Sequence, residues 1–284
     1  MAIKAADVKN LREKTGLGMM ECKKALEDAN GNIEDAITNL RKNSALKAEK
    51  KSSRTAVEGV ILAKKLDDQI IFAEVNCETD FVAKDENFLG FCEEILNFAS
   101  KNISCENLFE EVSHGMEEKR MSLVQKIGEN IVIRKIIRLM GKTSEFYIHS
   151  NKKIAAGVSL KKGGENLAKE IAMHVAASSP LVLSPEDLDD DYINREREIF
   201  KSQVEKEDKP LEIIEKMVEG KLNKQLSDVS LLKQPFVKDP SKKIENLLSD
   251  AEAEIESFIR IEVGEGIEVE KKDFAEEVQS QLKG

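Results

Sequence analysis

The 284-residue chain contains no tryptophan, two tyrosines and five prolines, and aromatics make up only 5% of it. With charged residues at 35% and hydrophobic ones at 40%, that shortage argues for a soluble, helix-rich, surface-heavy chain and against a large single-core enzyme. Cysteine is also scarce. Cys22, Cys77, Cys92 and Cys105 are scattered without a CxxC pair, which excludes a disulfide framework and suits reduced thiols in the cytoplasm. Positive charge is in deficit, with a net of −10, so nucleic acid is not the expected main partner, because phosphate binding needs concentrated cationic surface. No long uncharged run could span a bilayer, and the opening MAIKAADVKNLREK has no apolar leader core. The chain is expected to be cytoplasmic, neither secreted nor embedded.

Catalytic equipment is equally thin. His114, His149 and His174 lie far apart, with no HExxH or HxH spacing, so a metal site would need tertiary coincidence. Cys77 stands beside Glu78 and near Asp80, an environment that opposes thiolate formation, and reads as a strand cysteine rather than a nucleophile. His174, among Ile171, Val175 and Ala176, reads as a hydrogen-bonded packing histidine. There is no GxxxxGK[ST] loop, and neither Gly163-Gly164 nor Gly264-Glu265-Gly266 has the strand-glycine-helix frame of a dinucleotide site. No cofactor and no enzymatic activity are expected of this chain.

What the sequence does contain is patterned apolar spacing. From Val8 to Leu40 the apolar residues fall at helical intervals in three bursts, broken at Thr15-Gly16-Leu17-Gly18 and at Asn30-Gly31-Asn32, where Asn32 is placed to cap. Three small helices are predicted, with a small-bundle pattern that resembles ubiquitin-associated domains. Arg41 to Arg54, with six lysines or arginines against one glutamate, reads as a solvated linker or frayed helix; an RNA-binding arm is the competing reading. Val57 to Leu66, the turn Asp67-Asp68 and Gln69 to Cys77 then alternate as a strand hairpin. Helical spacing returns around Phe88 to Leu96 and Met116 to Ile127, and Ile131 to Leu139 reads as a third strand.

The same order of elements recurs with Glu145 to His149, Lys153 to Leu160, a helix over Glu165 to Ala177 and a late strand at Glu256 to Val263. Between that helix and strand, Ser184-Pro185 is expected to open a helix carrying Leu188, Tyr192, Ile199 and Val204. A second helix after Pro210 carries Leu211, Ile214, Val218, Leu222 and Leu226, and the two form a projecting antiparallel hairpin. A self-packed seam and a homodimer contact both fit so narrow a stripe. A short amphipathic helix is expected over Lys272 to Leu282. The fold class is therefore α+β, with small antiparallel sheets backed by helices. Its predicted modules are an N-terminal helical module with basic linker (1–54), a core subdomain (55–140), a second core subdomain in two parts (141–182 and 229–264), the helical hairpin (183–228) and a C-terminal helical module (265–284).

One decamer stands out. VNCETDFVAK, Val75 to Lys84, leaves an apolar strand, turns acidic, and places Phe81 between that corner and a lysine. Composition alone favours a buried ring. The setting favours an outward one: Thr79 and Asp80 form turns, and Val82-Ala83 brings no bulky neighbour to complete an apolar stripe. A loop-held aromatic on a stiff sheet is a common form of binding hot spot.

EVNCETDFVAK (Glu74 to Lys84) and LREKTGLGMMECKKAL (Leu11 to Leu26) resemble the two signatures of the elongation factor Ts family. The likeness extends to HVAAS before Pro180, EKMVEG at Glu215, QPFV at Gln234 and FIRIEVGEGIE at Phe258, with mild departures at Leu17 and Glu21. This resemblance implies an exchange factor for the GTPase elongation factor Tu. Asp80, Phe81, Val82 and Ala83 would approach the partner's G domain, with Phe81 disturbing the groups that hold Mg²⁺. Thr79, Met19 and Met20 are further candidate contacts. Of the two adjacent methionines, one is expected to face the small core and the other the partner.

Overall fold

The computed structural model describes residues 3–204 and 210–268. The expected helix over Lys272 to Leu282, and the turn joining the two hairpin helices, lie outside the described residues. The chain divides into two compact units, Met1–Val60 with Ala73–Ile136 and Val263–Gly284, and Ile61–Phe72 with Ile137–Glu262.

The first unit opens with α1 (Ala5–Thr15), α2 (Met19–Asp28) and α3 (Ile33–Lys51). Asn32 caps α3, its side-chain oxygen accepting from the N–H groups of Glu34 and Asp35 at 2.9 and 3.3 Å. Leu11, Cys22, Leu26, Ala36 and Leu40 meet in a thin core. Burying Leu11 and Leu26 contributes roughly 1.5–3 kcal/mol apiece. Of the two readings of the basic stretch, linker or frayed helix, the helical one holds: α3 continues through it to Lys51, with Ser44 and Ala48 buried. Good helix formers carry the helix on, and Arg41 pairs with Glu118 at 3.0 Å.

β1 (Glu58–Lys65), β2 (Gln69–Cys77) and β3 (Val132–Met140) form a sheet in the order β1-β2-β3. From Ile70 to Cys77, β2 is buried without a break, as the near-continuous apolar run Ile-Ile-Phe-Ala demands of a central strand. α4 (Glu86–Lys101) and α5 (Leu108–Ile127) lie between β2 and β3 in the chain. α4 buries Phe88, Phe91, Cys92, Ile95, Leu96 and Ala99, a helical stripe. Asp85 caps it through the N–H groups of Asn87 and Phe88, which is worth about 1 kcal/mol.

In the second unit β4 (Thr143–Ile148), β5 (Ile154–Lys162) and β8 (Glu254–Glu262) pair antiparallel in the order β4-β5-β8. Both sheets thus place the second strand of a hairpin at the centre and add a late strand beside it. α6 (Glu165–Ser178) sets Ala168, Ile171, Ala172 and Val175 into a core with Val158, Leu231, Phe236 and Ile244.

Ser184-Pro185 opens only a 3₁₀ turn, Pro185–Asp187, because Leu188 goes extended. α7 (Asp190–Val204) starts afterwards, with Asp189 Oδ1 accepting from the Tyr192 N–H at 2.6 Å. α7 packs on α8 (Leu211–Asp228) with Tyr192 near Gln225 and Arg197 bonded to Glu219. Sequence periodicity overlooked the short pieces that follow, β6 (Pro235–Phe236), β7 (Asp239–Lys243) and α9 (Ile244–Asp250), each too brief to show a period.

Candidate functional site

The decamer forms a corner at the exit of β2. The Cys77 thiol donates to the Thr79 carbonyl, and the Ala83 N–H returns to that same carbonyl at 3.2 Å. Val82–Lys84 is a 3₁₀ turn closed by Lys84 N–H to Phe81 O at 3.1 Å and Asp85 N–H to Val82 O at 2.9 Å. Backbone hydrogen bonds therefore close the corner on its way into α4. Phe81 has an ordinary right-handed backbone (φ −67°, ψ −48°) and is 81% exposed. An exposed phenylalanine forgoes about 1.5–3 kcal/mol of burial energy, so its ring is available to a partner. Thr79, Asp80 and Val82 are half-buried beside it, whereas Ala83 is buried and turned inward.

Sequence reasoning missed the residue that grips this corner. Glu129 Oε2 accepts from the N–H groups of Glu78 and Thr79 at 3.1 and 3.0 Å, and Oε1 accepts from the Thr79 hydroxyl at 2.7 Å. In return the Asn130 N–H donates to Glu78 Oε1 at 2.6 Å. Hydrogen bonds to a charged acceptor are worth roughly 1.5–3 kcal/mol each. Gly128, at φ +92°, ends α5 and turns the chain so that Glu129 reaches the corner. The only sequence signal was a glycine after an amphipathic helix, which marks a stop but not a contact.

Met19 and Met20 are both exposed, at 54% and 76%, so the expected division into one core-facing and one outward methionine is wrong. The first turn of α2 lies beyond the small core, which Leu17, Cys22, Ala25 and Leu26 already fill. The pair lines a shallow apolar pocket with Ile3, Ala5, Val8 and Lys23. Glu21, next along, bonds Lys47 and reaches Gln125 at 2.7 Å, joining α2 to α3 and α5. Burial acts to raise the Glu21 carboxyl, but the bonds from Lys47 and Gln125 outweigh it and hold it below the usual range.

The competing site residues resolve structurally. Cys77 is fully buried. His174 is also fully buried; Nδ1 accepts from the Val237 N–H at 3.2 Å, which leaves Nε2–H to donate to Gln234 Oε1 at 2.9 Å. Burial pushes its pKa down against the opposing Gln234 bond. Among the described residues no group of three or more His, Cys, Asp or Glu is arranged to hold a metal ion, and no helix is long and apolar enough to cross a membrane.

A family model described as Elongation factor TS matches residues 78–265, the corner included. A protein named elongation factor Ts from Hahella chejuensis is 51% identical over 287 residues, covering 100% of this chain and 99% of that one. Its namesake from Marinobacter nauticus is 52% identical over 279 residues, covering 98% and 96%. One from Francisella tularensis subsp. novicida is 48% identical over 289 residues, covering 99% of each chain. The signatures around Leu11–Leu26 and Glu74–Lys84 therefore sit in a chain that belongs to the elongation factor Ts family.

Proposed function

We propose that this chain is a cytoplasmic guanine-nucleotide exchange factor for elongation factor Tu, and that Phe81 is the group that loosens the partner's hold on GDP. The observation that carries the reading is the 81% exposure of the Phe81 ring on a corner closed by its own backbone bonds and gripped by Glu129. A ring in solution-facing position on a stiff mount can enter a partner without first reorganising.

Bound GDP depends on Mg²⁺ linking phosphate charge to the GTPase and on backbone donors around the phosphates. Pushing those groups apart weakens nucleotide binding with no covalent step, so the chain needs no acid, base or nucleophile of its own. Linkage makes the effect reciprocal: factor and nucleotide weaken one another by the same free energy, and rebinding of GDP or GTP expels the factor. The test is the rate of GDP release from purified elongation factor Tu with and without this protein. Stimulated release is expected; an unchanged rate at saturating protein overturns the proposal.

A further inference from the structure

We propose that Glu129 is a positioning residue for exchange, acting through Phe81 by fixing the corner that carries it; the inference rests on the reading of Phe81 as the wedge. An exposed side chain gains no orientation from neighbours, so the direction of the Phe81 ring is set by its backbone. Most bonds within the corner, Thr79 to Ala83 and Phe81 to Lys84, tie it only to itself. Glu129 ties it to the rest of the unit, 50 residues away in sequence, through three donors that converge on one carboxylate.

That geometry uses both acceptor oxygens of the side chain. A carboxylate is acceptor-only on both oxygens, whereas an amide would turn its NH₂ toward the Glu78 and Thr79 N–H groups or toward the Thr79 hydroxyl. The Thr79 hydroxyl donates to Glu129 and accepts from the Val82 N–H at 3.4 Å, and its second lone pair could still take an amide N–H, so glutamine would keep much of the grip and alanine would remove all of it. The loop bearing Glu129 is fixed in turn. Lys51 donates to the Gly128 carbonyl, and Asn130 Nδ2 donates to the Arg54 carbonyl at 2.8 Å. Loss of the carboxylate should free the corner while β2 and α4 persist on their own packing.

The experiment uses the full chain carrying Glu129→Ala, with Phe81→Ala and the double variant alongside. In Glu129→Ala the Glu78 and Thr79 amides should exchange with deuterium about tenfold faster or more, with the interior of β2 unchanged. Maximal stimulated GDP release from elongation factor Tu should fall about tenfold, and the half-saturating concentration should change less than about threefold. The double variant should be no slower than Phe81→Ala, because Glu129 has nothing to position once the ring is gone. Thr79→Val removes one donor and should reproduce part of the loss, with Thr79→Ser restoring it, should Glu129→Ala fail to fold. Unaltered amide exchange, or additive losses in the double variant, overturns the positioning role. Wild-type release by Phe81→Ala overturns the wedge and this inference together, a result distinct from one in which Phe81→Ala is slow and Glu129→Ala is not.

Discussion

Lys84 Nζ lies 2.8 Å from Asp80 Oδ2, and the pair straddles Phe81 from the two ends of one turn. The hydrogen bond to Asp80 holds the Lys84 ammonium above the usual lysine range. So exposed a pair adds little stability. Its effect is local neutrality: the ring is flanked by cancelled charges, which lowers the desolvation cost of pressing it against another protein.

Phe81→Ala should leave the unfolding midpoint within about 0.5 kcal/mol of wild type, since a surface ring contributes little to folding. Stimulated GDP release should slow roughly thirtyfold or more, the ~2 kcal/mol of an interface hot spot. Asp80→Ala should slow release in the same direction by less. A Phe81→Ala protein that unfolds instead would show the ring to be structural.

Replacing both Met19 and Met20 by alanine should raise the half-saturating concentration roughly tenfold and leave maximal release unchanged. Flexible, exposed methionines add contact area without touching the nucleotide. A fall in the maximal rate at unchanged half-saturation would contradict this division of labour.

Lys50→Gln should not alter exchange, and the protein's retention on RNA should be weak. Lys47 and Lys51 are unsuitable for this test because they hold Glu21 and the Gly128 carbonyl. Tight RNA binding that drops steeply with salt and falls in Lys50→Gln would favour the competing reading of the basic stretch.

His174 sets a pH dependence. Its folded pKa lies below its ordinary value near 6.5, so the unfolded chain binds the extra proton first. Stability is therefore complete above that value and declines as pH falls from it toward the folded pKa. Thermal midpoints measured from about pH 8 to pH 5 should fall, and His174→Gln should flatten the slope while costing about 1–3 kcal/mol through partners left unpaired.

Gly59 admits no side chain. At φ +147°, a Cβ there would stand 2.1 Å from the Val75 carbonyl oxygen. Gly59→Ala should cost about 3 kcal/mol or more in urea unfolding, because the clash is with backbone that cannot move aside.

Much of the fold was legible. The hairpin β1–β2 was readable because β-branched runs flank Asp67-Asp68, and the Asn32 cap because asparagine precedes a helical stripe. The basic stretch reads equally as linker or frayed helix because a polar, lysine-rich face looks the same in both until Ser44 and Ala48 are seen buried. The α7 boundary was misplaced because Ser184-Pro185 caps equally well a single 3₁₀ turn and a full helix. The Phe81 corner was visible as turn chemistry after a strand. Glu129 was not, since its partners lie 50 and 51 residues away.

Local chemistry alone settled most of the described helices, the two strand hairpins and the family signatures, because periodicity, capping and turn preference act between near neighbours in the chain. Only tertiary structure decided that both methionines face outward, that Ala83 turns in while Phe81 turns out, and that one distant carboxylate fastens the corner. Those outcomes depend on which groups fill a limited core and which donors find an acceptor, and both are settled by long-range packing.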